Sequence, residues 1–152
     1  MDNSKPTKRI IIGSDHAGYS LKEHIISSLS DKGFIIIDIG THSKQSCDYP
    51  VFASKLCDGL NKGSADLGIL CCGTGIGMSI AANKIKGIRA AACSDIYSAK
   101  YTRLHNDANV LCLGARVIGE GLADELVNIF ISTEFEGGKH KRRVDMISAL
   151  EQ

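Results

Sequence analysis

The chain has 152 residues, of which 43% are hydrophobic and 23% charged, and its formal net charge is +1. That length fits a single domain over residues 1–152 with a core of its own. So even a balance excludes a whole-molecule field for nucleic acid or membrane, and any anion site has to be built locally.

Arg9 to Gly13 reads as a buried strand. Leu21, Ile25 and Leu29 then recur at helical spacing, and Gly33 supplies a stop. Phe34 to Ile39 is a second β-rich burst, ended by Gly40. Phe52, Leu56 and Leu60 mark a second helix, closed by Gly63. Leu67 to Cys71 is a third strand, followed by a glycine-rich turn and a helix near Ser79 to Lys84. Ile88 to Cys93 and Val110 to Leu113 are the fourth and fifth strands, with no regular element assigned between them. A helix near Leu122 to Ile131 and a short helix near 142–150 complete the chain, the latter carried by Val144, Ile147 and Leu150.

Continuous apolar strands separated by amphipathic helices predict an α/β fold. Its form is a three-layer α/β/α sandwich around a five-stranded parallel, Rossmann-like sheet. Ligands in such folds sit beyond the carboxyl ends of the strands. The unusual polar motifs fall there: Ser14-Asp15-His16, Cys72 to Gly77, and Ser94-Asp95.

The six cysteines, Cys47, Cys57, Cys71, Cys72, Cys93 and Cys112, contain no CxxC pair, the usual spacing of a structural zinc or thioredoxin-type centre. Several lie in apolar runs, where reduced cysteine acts as a small hydrophobe. Met1 to Lys8 lacks the apolar stretch of a secretory signal, and no apolar run approaches membrane-spanning length. The expectation is a soluble, reduced, cytoplasmic protein with a flexible leader over residues 1–7.

The segment Cys71-Cys72-Gly73-Thr74-Gly75-Ile76-Gly77 has glycine at alternate positions and opens a helix. Glycine lets the backbone approach a ligand closely, and the helix start favours negative charge. A thiol facing that positive end is in the setting that lowers a thiol pKa. The pattern suits a thiolate base beside an oxyanion nest, and equally a tight turn holding buried cysteines. It does not match the dinucleotide fingerprint G-x-G-x-x-G or a Walker loop, since Met78 follows Gly77.

Asp15-His16 suits ligand contact, with a helix cap as the other role open to Asp15. His105, in His105-Asn106-Asp107, is a candidate proton carrier that Asp107 could orient, or else a packing residue. His24, His42 and His140 read as surface or packing histidines. Arg116 and the run Lys139-His140-Lys141-Arg142-Arg143 suit phosphate, although such a run is commonly a solvated face.

Taken together, several segments resemble ribose-5-phosphate isomerase type B, the family that also holds galactose-6-phosphate isomerase subunits. They are Gly13-Ser14-Asp15-His16-Ala17-Gly18, Asp48-Tyr49-Pro50, Cys72 to Gly77 with Ser79 to Lys84, Gly87-Ile88-Arg89-Ala90, His105-Asn106-Asp107 and Gly114-x-Arg116. The resemblance runs from Lys8 to about Glu151 in the family's order. It implies a metal-free, cofactor-free isomerase of ribose 5-phosphate and ribulose 5-phosphate in the non-oxidative pentose phosphate pathway. The enzyme would work as a homodimer or a dimer of dimers, with the site between subunits. Cys72 would be the proton-transferring base, as in the branch with cysteine here rather than glutamate at the place of Met78. Thr74 would move a proton between the oxygens, and the amides of Gly73, Thr74, Gly75, Ile76 and Gly77 would hold an enediolate. His105 would open the furanose ring. Asp15, Tyr49 and Asn106 would contact the sugar, and His16, Arg116, Lys139 and Arg143 the phosphate. Lys139 stands where the family often has arginine, which keeps the charge but loses the bidentate fork.

Alternatives remain at this level. A hexose-6-phosphate isomerase of the allose or galactose type would use the same chemistry with more room for the sugar. A non-catalytic sugar-phosphate binding subunit would not need Cys72, Thr74 and His105 together. A thiol phosphatase would want arginine where Met78 follows Cys72.

Overall fold

The computed structural model describes residues 7–151. The leader expected to be flexible therefore lies, apart from Thr7, outside the described residues. In chain order the elements are β1 (Arg9–Ser14), α1 (Tyr19–Asp31), β2 (Ile35–Asp38), α2 (Tyr49–Asn61), β3 (Leu67–Cys72) and α3 (Ile76–Ala82). There follow β4 (Ala90–Ala92), α4 (Ile96–Asn106), β5 (Val110–Gly114), α5 (Glu120–Ser132) and α6 (Lys139–Ser148).

The strands form one parallel sheet in the order β2-β1-β3-β5-β4. Successive strand residues face opposite sides of a sheet, and the packing follows that rule. Ile10, Ile12, Ile69, Cys71, Leu111 and Leu113 enter a core with Leu21, Ile25, Leu126 and Phe130 of α1 and α5. Ile11, Leu70, Cys72, Val110 and Cys112 enter a second core with Ala53, Leu56 and Met78 of α2 and α3. Each fully buried Ile or Leu side chain contributes about 1.5–3 kcal/mol relative to exposure. The three-layer sandwich expected from the sequence is the architecture observed.

This alternation settles the adjacent cysteines. Cys71 and Cys72 point into opposite cores, and all six cysteines are free. Cys71 is fully buried, and burial pushes its thiol far up, with a smaller push from Cys72.

Helix α4 occupies part of the stretch for which the sequence predicted no element. Its cap was legible: Asp95 Oδ1 accepts the Ser98 N–H at 2.7 Å and Oδ2 accepts the Ser98 hydroxyl at 2.8 Å. Its core face was not, because the buried positions are Ala99 and the charged Arg103. Arg103 is held by Asp107 at 2.9 Å, the Ala108 carbonyl at 2.6 Å and the Thr133 carbonyl at 3.2 Å. Without an apolar stripe, the helical period has nothing to display. Three other boundaries shift. Strand β4 is shorter than predicted, α3 begins inside the glycine turn, and α6 begins at Lys139, so the basic run is its first turns.

Candidate active site

The carboxyl ends of β1, β3 and β5 bring together one group of the expected residues. The Asp15 N–H bonds the Cys71 carbonyl at 3.2 Å, which ties the end of β1 to β3. Asp15 is buried, and its Oδ1 accepts the Gly18 N–H at 3.0 Å, so one carboxylate oxygen serves the start of α1. His16 Nδ1 accepts the Cys47 N–H at 3.2 Å, which leaves Nε2 as the protonated nitrogen of the neutral ring. Tyr49, in the first turn of α2, lies against the glycine turn. A Cβ added at Gly77 would sit 2.8 Å from Tyr49 Cζ.

Cys72 closes β3 at 5% exposure, and its Sγ accepts the Gly75 N–H at 3.1 Å. Gly75 has φ +80°, and a Cβ there would stand 3.0 Å from the Leu113 carbonyl carbon, so the turn requires glycine on two counts. The exposed Thr74 accepts the Ile76 N–H on Oγ1 at 3.2 Å. The amides of Gly75 and Ile76 thus already have internal acceptors. The chain after β5 covers the other side of the turn: Ala115 N–H bonds the Cys72 carbonyl at 2.8 Å and Arg116 N–H the Gly73 carbonyl at 3.0 Å. The Arg116 guanidinium lies over Gly73, 3.3 Å from where a Cβ would stand. Arg116 makes no ion pair among the described residues. This group offers a sulfur base, a hydroxyl relay, a backbone turn and cationic or N–H donors for an anion.

The remaining expected residues form a second group elsewhere. Arg89, just before β4, donates from Nε to the carbonyls of Asn106 and Asp107, both at 3.0 Å. His105-Asn106 therefore sits toward the amino edge of the sheet. Val110 pairs in register with Gly68, whereas Cys72 pairs with Gly114. The offset is four strand residues, about 13 Å. Cys72 and His105 of one chain are not brought together.

Within the second group, α6 packs its start against the end of α4. His140 is buried and stacks on His105, with ring centroids 3.9 Å apart and planes 9° apart. Tyr101 meets the His105 ring edge-on at 4.9 Å, and Tyr97 stacks on Tyr101 at 4.2 Å. Asp107 does not orient His105: its carboxylate bonds Arg103 at 2.9 Å and Arg89 at 3.2 Å. Glu136 comes nearest instead, 3.8 Å from His105 Nε2. Ligand atoms of His105, Glu136 and His140 lie within 4.8 Å of one another. In parallel stacked rings, however, the in-plane lone pairs run side by side rather than converging on one ion. Asn106, Lys139 and Arg143 are exposed around this pair. A groove of about 360 Å³ between β4 and α4 is lined by Cys93, Tyr97, Tyr101, His105 and Asn106.

His140, read from the sequence as a surface or packing histidine, does pack, on His105, whereas Tyr101 was not singled out. The spacing of Tyr97, Tyr101 and His105 at every fourth residue was a usable signal once α4 is seen as a helix.

Comparison with known proteins bears on the family and the fold. The profile of the family described as Ribose/Galactose Isomerase matches residues 10–147. Ribose-5-phosphate isomerase B of Escherichia coli (strain K12) is 48% identical over 145 residues, covering 95% of this chain and 97% of that protein. The structure of Clostridium thermocellum ribose-5-phosphate isomerase B superimposes with a TM-score of 0.93 at 50% identity, covering 94% of this chain and 97% of that one. Ribose-5-phosphate isomerase B from Mycoplasma genitalium, solved with bound ribulose-5-phosphate, gives a TM-score of 0.90 at 43% identity, covering 94% and 95%. No helix among the described residues is long and apolar enough to cross a membrane. The chain belongs to the ribose/galactose isomerase family, in its ribose-5-phosphate isomerase B branch.

Proposed function

We propose that the protein is an aldose–ketose isomerase that interconverts ribose 5-phosphate and ribulose 5-phosphate through an enediolate. The observation that carries this is the Cys72 sulfur held by the Gly75 N–H at the mouth of the turn, beside the exposed Thr74 and the guanidinium of Arg116 over Gly73. The bound ribulose-5-phosphate of the Mycoplasma genitalium relative favours the pentose over a hexose.

In this reading His105 opens the furanose ring by moving a proton between the ring oxygen and the anomeric hydroxyl. The Cys72 thiolate then takes the proton from C2 of the open aldose and returns it to C1. Thr74 carries a proton between O1 and O2. Amides of the segment from Gly73 to Gly77 stabilise the enediolate oxygen. Asp15, Tyr49 and Asn106 orient the sugar hydroxyls. His16, Arg116, Lys139 and Arg143 take the phosphate, whose remote binding energy places the reacting carbons. Every proton in this cycle has a protein donor or acceptor, so the step closes without a hydride carrier.

Cys72 stands at the carboxyl end of the sheet, about 13 Å along the strands from the amino-end pair Gly68–Val110, and the end of α4 that carries His105 lies toward that amino end. This supports a site shared between subunits of a homodimer, in which His105, Asn106, Lys139 and Arg143 come from the second copy. Six free cysteines fit a reducing, cytoplasmic setting, and the pentose-phosphate reaction itself would place the protein in the pentose phosphate pathway. The test is a coupled assay on ribose 5-phosphate and allose 6-phosphate, with chelator present, for the native protein and Cys72→Ser. Chelator-resistant turnover of the pentose that vanishes in the variant is the expected result. A preference for the hexose overturns the substrate, and no turnover of either sugar overturns the catalytic reading.

A further inference from the structure

Among the fully buried side chains of the described residues, one of the largest is charged. Lys22 is 0% exposed, on the same face of α1 as Ile25 and Leu29, where an apolar residue would avoid the desolvation of an ammonium. Its Nζ bonds Asp38 Oδ2 at 2.8 Å and Glu23 Oε1 at 2.8 Å, and it lies 5.4 Å from the centre of the Tyr19 ring. Burial by itself pulls this ammonium down, but the bonds to Asp38 and Glu23 outweigh it and the net direction is up.

The contacts lead from Lys22 to both ends of the Asp15-His16-Ala17 segment. At one end, Lys22 N–H bonds the Gly18 carbonyl at 2.9 Å, and Gly18 N–H bonds Asp15 Oδ1 at 3.0 Å. At the other, Asp38 Oδ1 accepts the Gly40 N–H at 2.9 Å, and the Gly40 carbonyl accepts the Ser14 N–H at 2.7 Å. Thr41 N–H completes that anchor on the Ser14 carbonyl at 2.8 Å. The buried Ser14 Oγ has no partner among the described residues, so the backbone carries the polar contacts of Ser14. His42 Nδ1 also approaches Asp38 Oδ2, at 3.7 Å, from the exposed side.

We propose that the Lys22–Asp38 ion pair is a positioning device that holds the Asp15-His16 segment at the height at which it meets the sugar phosphate. Neither residue touches the reacting atoms. The pair acts through the backbone of Gly40 and Ser14. The proposal rests on the isomerase reading for its kinetic consequence, but not for its structural one.

The test compares the native enzyme with Lys22→Met, Asp38→Asn and the double variant, and uses Glu23→Gln as a control for the exposed partner. Thermal unfolding, steady-state kinetics on ribose 5-phosphate and amide hydrogen exchange are read on each. The double variant removes both charges together, so its stability is expected to exceed that of Lys22→Met. Its KM is nonetheless expected to rise about tenfold with a smaller change in kcat, and exchange at Ser14 and Thr41 to quicken about tenfold. Glu23→Gln is expected to keep the native KM. Native KM and native exchange in the double variant overturn the proposal. If the methionine variants do not fold, Asp38→Asn, which keeps the side-chain volume, decides by the same two readouts. If the native protein turns over no sugar phosphate, the isomerase reading fails, and exchange at Ser14 and Thr41 still decides the positioning.

Discussion

The imidazoles of His105 and His140 stack face to face, 3.9 Å apart and within 9° of parallel, at the junction of α4 and α6. Burial, and then the neighbouring His105, hold His140 below the ordinary imidazole value of 6.5. The folded chain therefore resists a proton there that the unfolded chain accepts. As pH falls through about 6.5, the unfolded state gains that proton first, and stability declines until the folded-state value is passed. Urea midpoints measured from pH 7.5 to 5 are expected to fall for the native protein and to fall less for His140→Gln. Equal slopes would remove His140 from this account.

The same stack makes a kinetic prediction. His140→Ala removes the stacked ring and leaves His105 with the edge of Tyr101 and the Glu136 carboxylate, so turnover of the furanose form is expected to drop about tenfold, with an open-chain analogue less affected. An equal loss on both would argue against a ring-opening role for His105.

Cys72→Ser is expected to bind the sugar phosphate and lose about 10²–10⁴-fold in kcat, because a hydroxyl is a poor base near neutral pH. Activity close to native in that variant removes the sulfur from the mechanism. Cys71→Ser is a different case. That side chain lies in the other core, so the expected effect is on stability, read as a lower unfolding midpoint with kcat retained.

Mixing tests the shared site directly. Cys72→Ser and His105→Ala are each expected to be nearly inactive. Unfolded together and refolded, they should regain about a quarter of native activity, since half of the dimers are mixed and each of those has one intact site. No recovery from a mixture shown to contain mixed dimers would place Cys72 and His105 in the same chain's site.

The phosphate assignment predicts a division between KM and kcat. Arg116→Ala and Arg143→Ala should raise the apparent KM about ten- to a hundredfold. Lys139→Arg restores the fork and should lower KM a few-fold, by roughly the difference between a bidentate and a point-charge contact. Unchanged KM in all three variants would move the phosphate elsewhere.

Much of this protein is determined locally, and the sequence by itself was enough for that part. The apolar runs of β1, β3 and β5 specify buried strands, and the Leu21-Ile25-Leu29 spacing specifies a helix face. Gly75 beside Cys72 specifies a turn that only glycine can make. These depend on φ/ψ preference and on period, which neighbouring residues share. The tertiary structure alone decided what depends on distance. It set the strand order that seats β5 between β3 and β4, and the burial of Arg103, which hid α4 from any apolar pattern. It also decided the stacking of His140 on His105, the use of Asp107 by two arginines, and the placing of Cys72 at the carboxyl end of the sheet while the end of α4 lies toward the amino end. Residues 35 positions apart, such as His105 and His140, carry no local signal of their contact. That contact exists only because packing α6 onto α4 buries Val144 and His140 together.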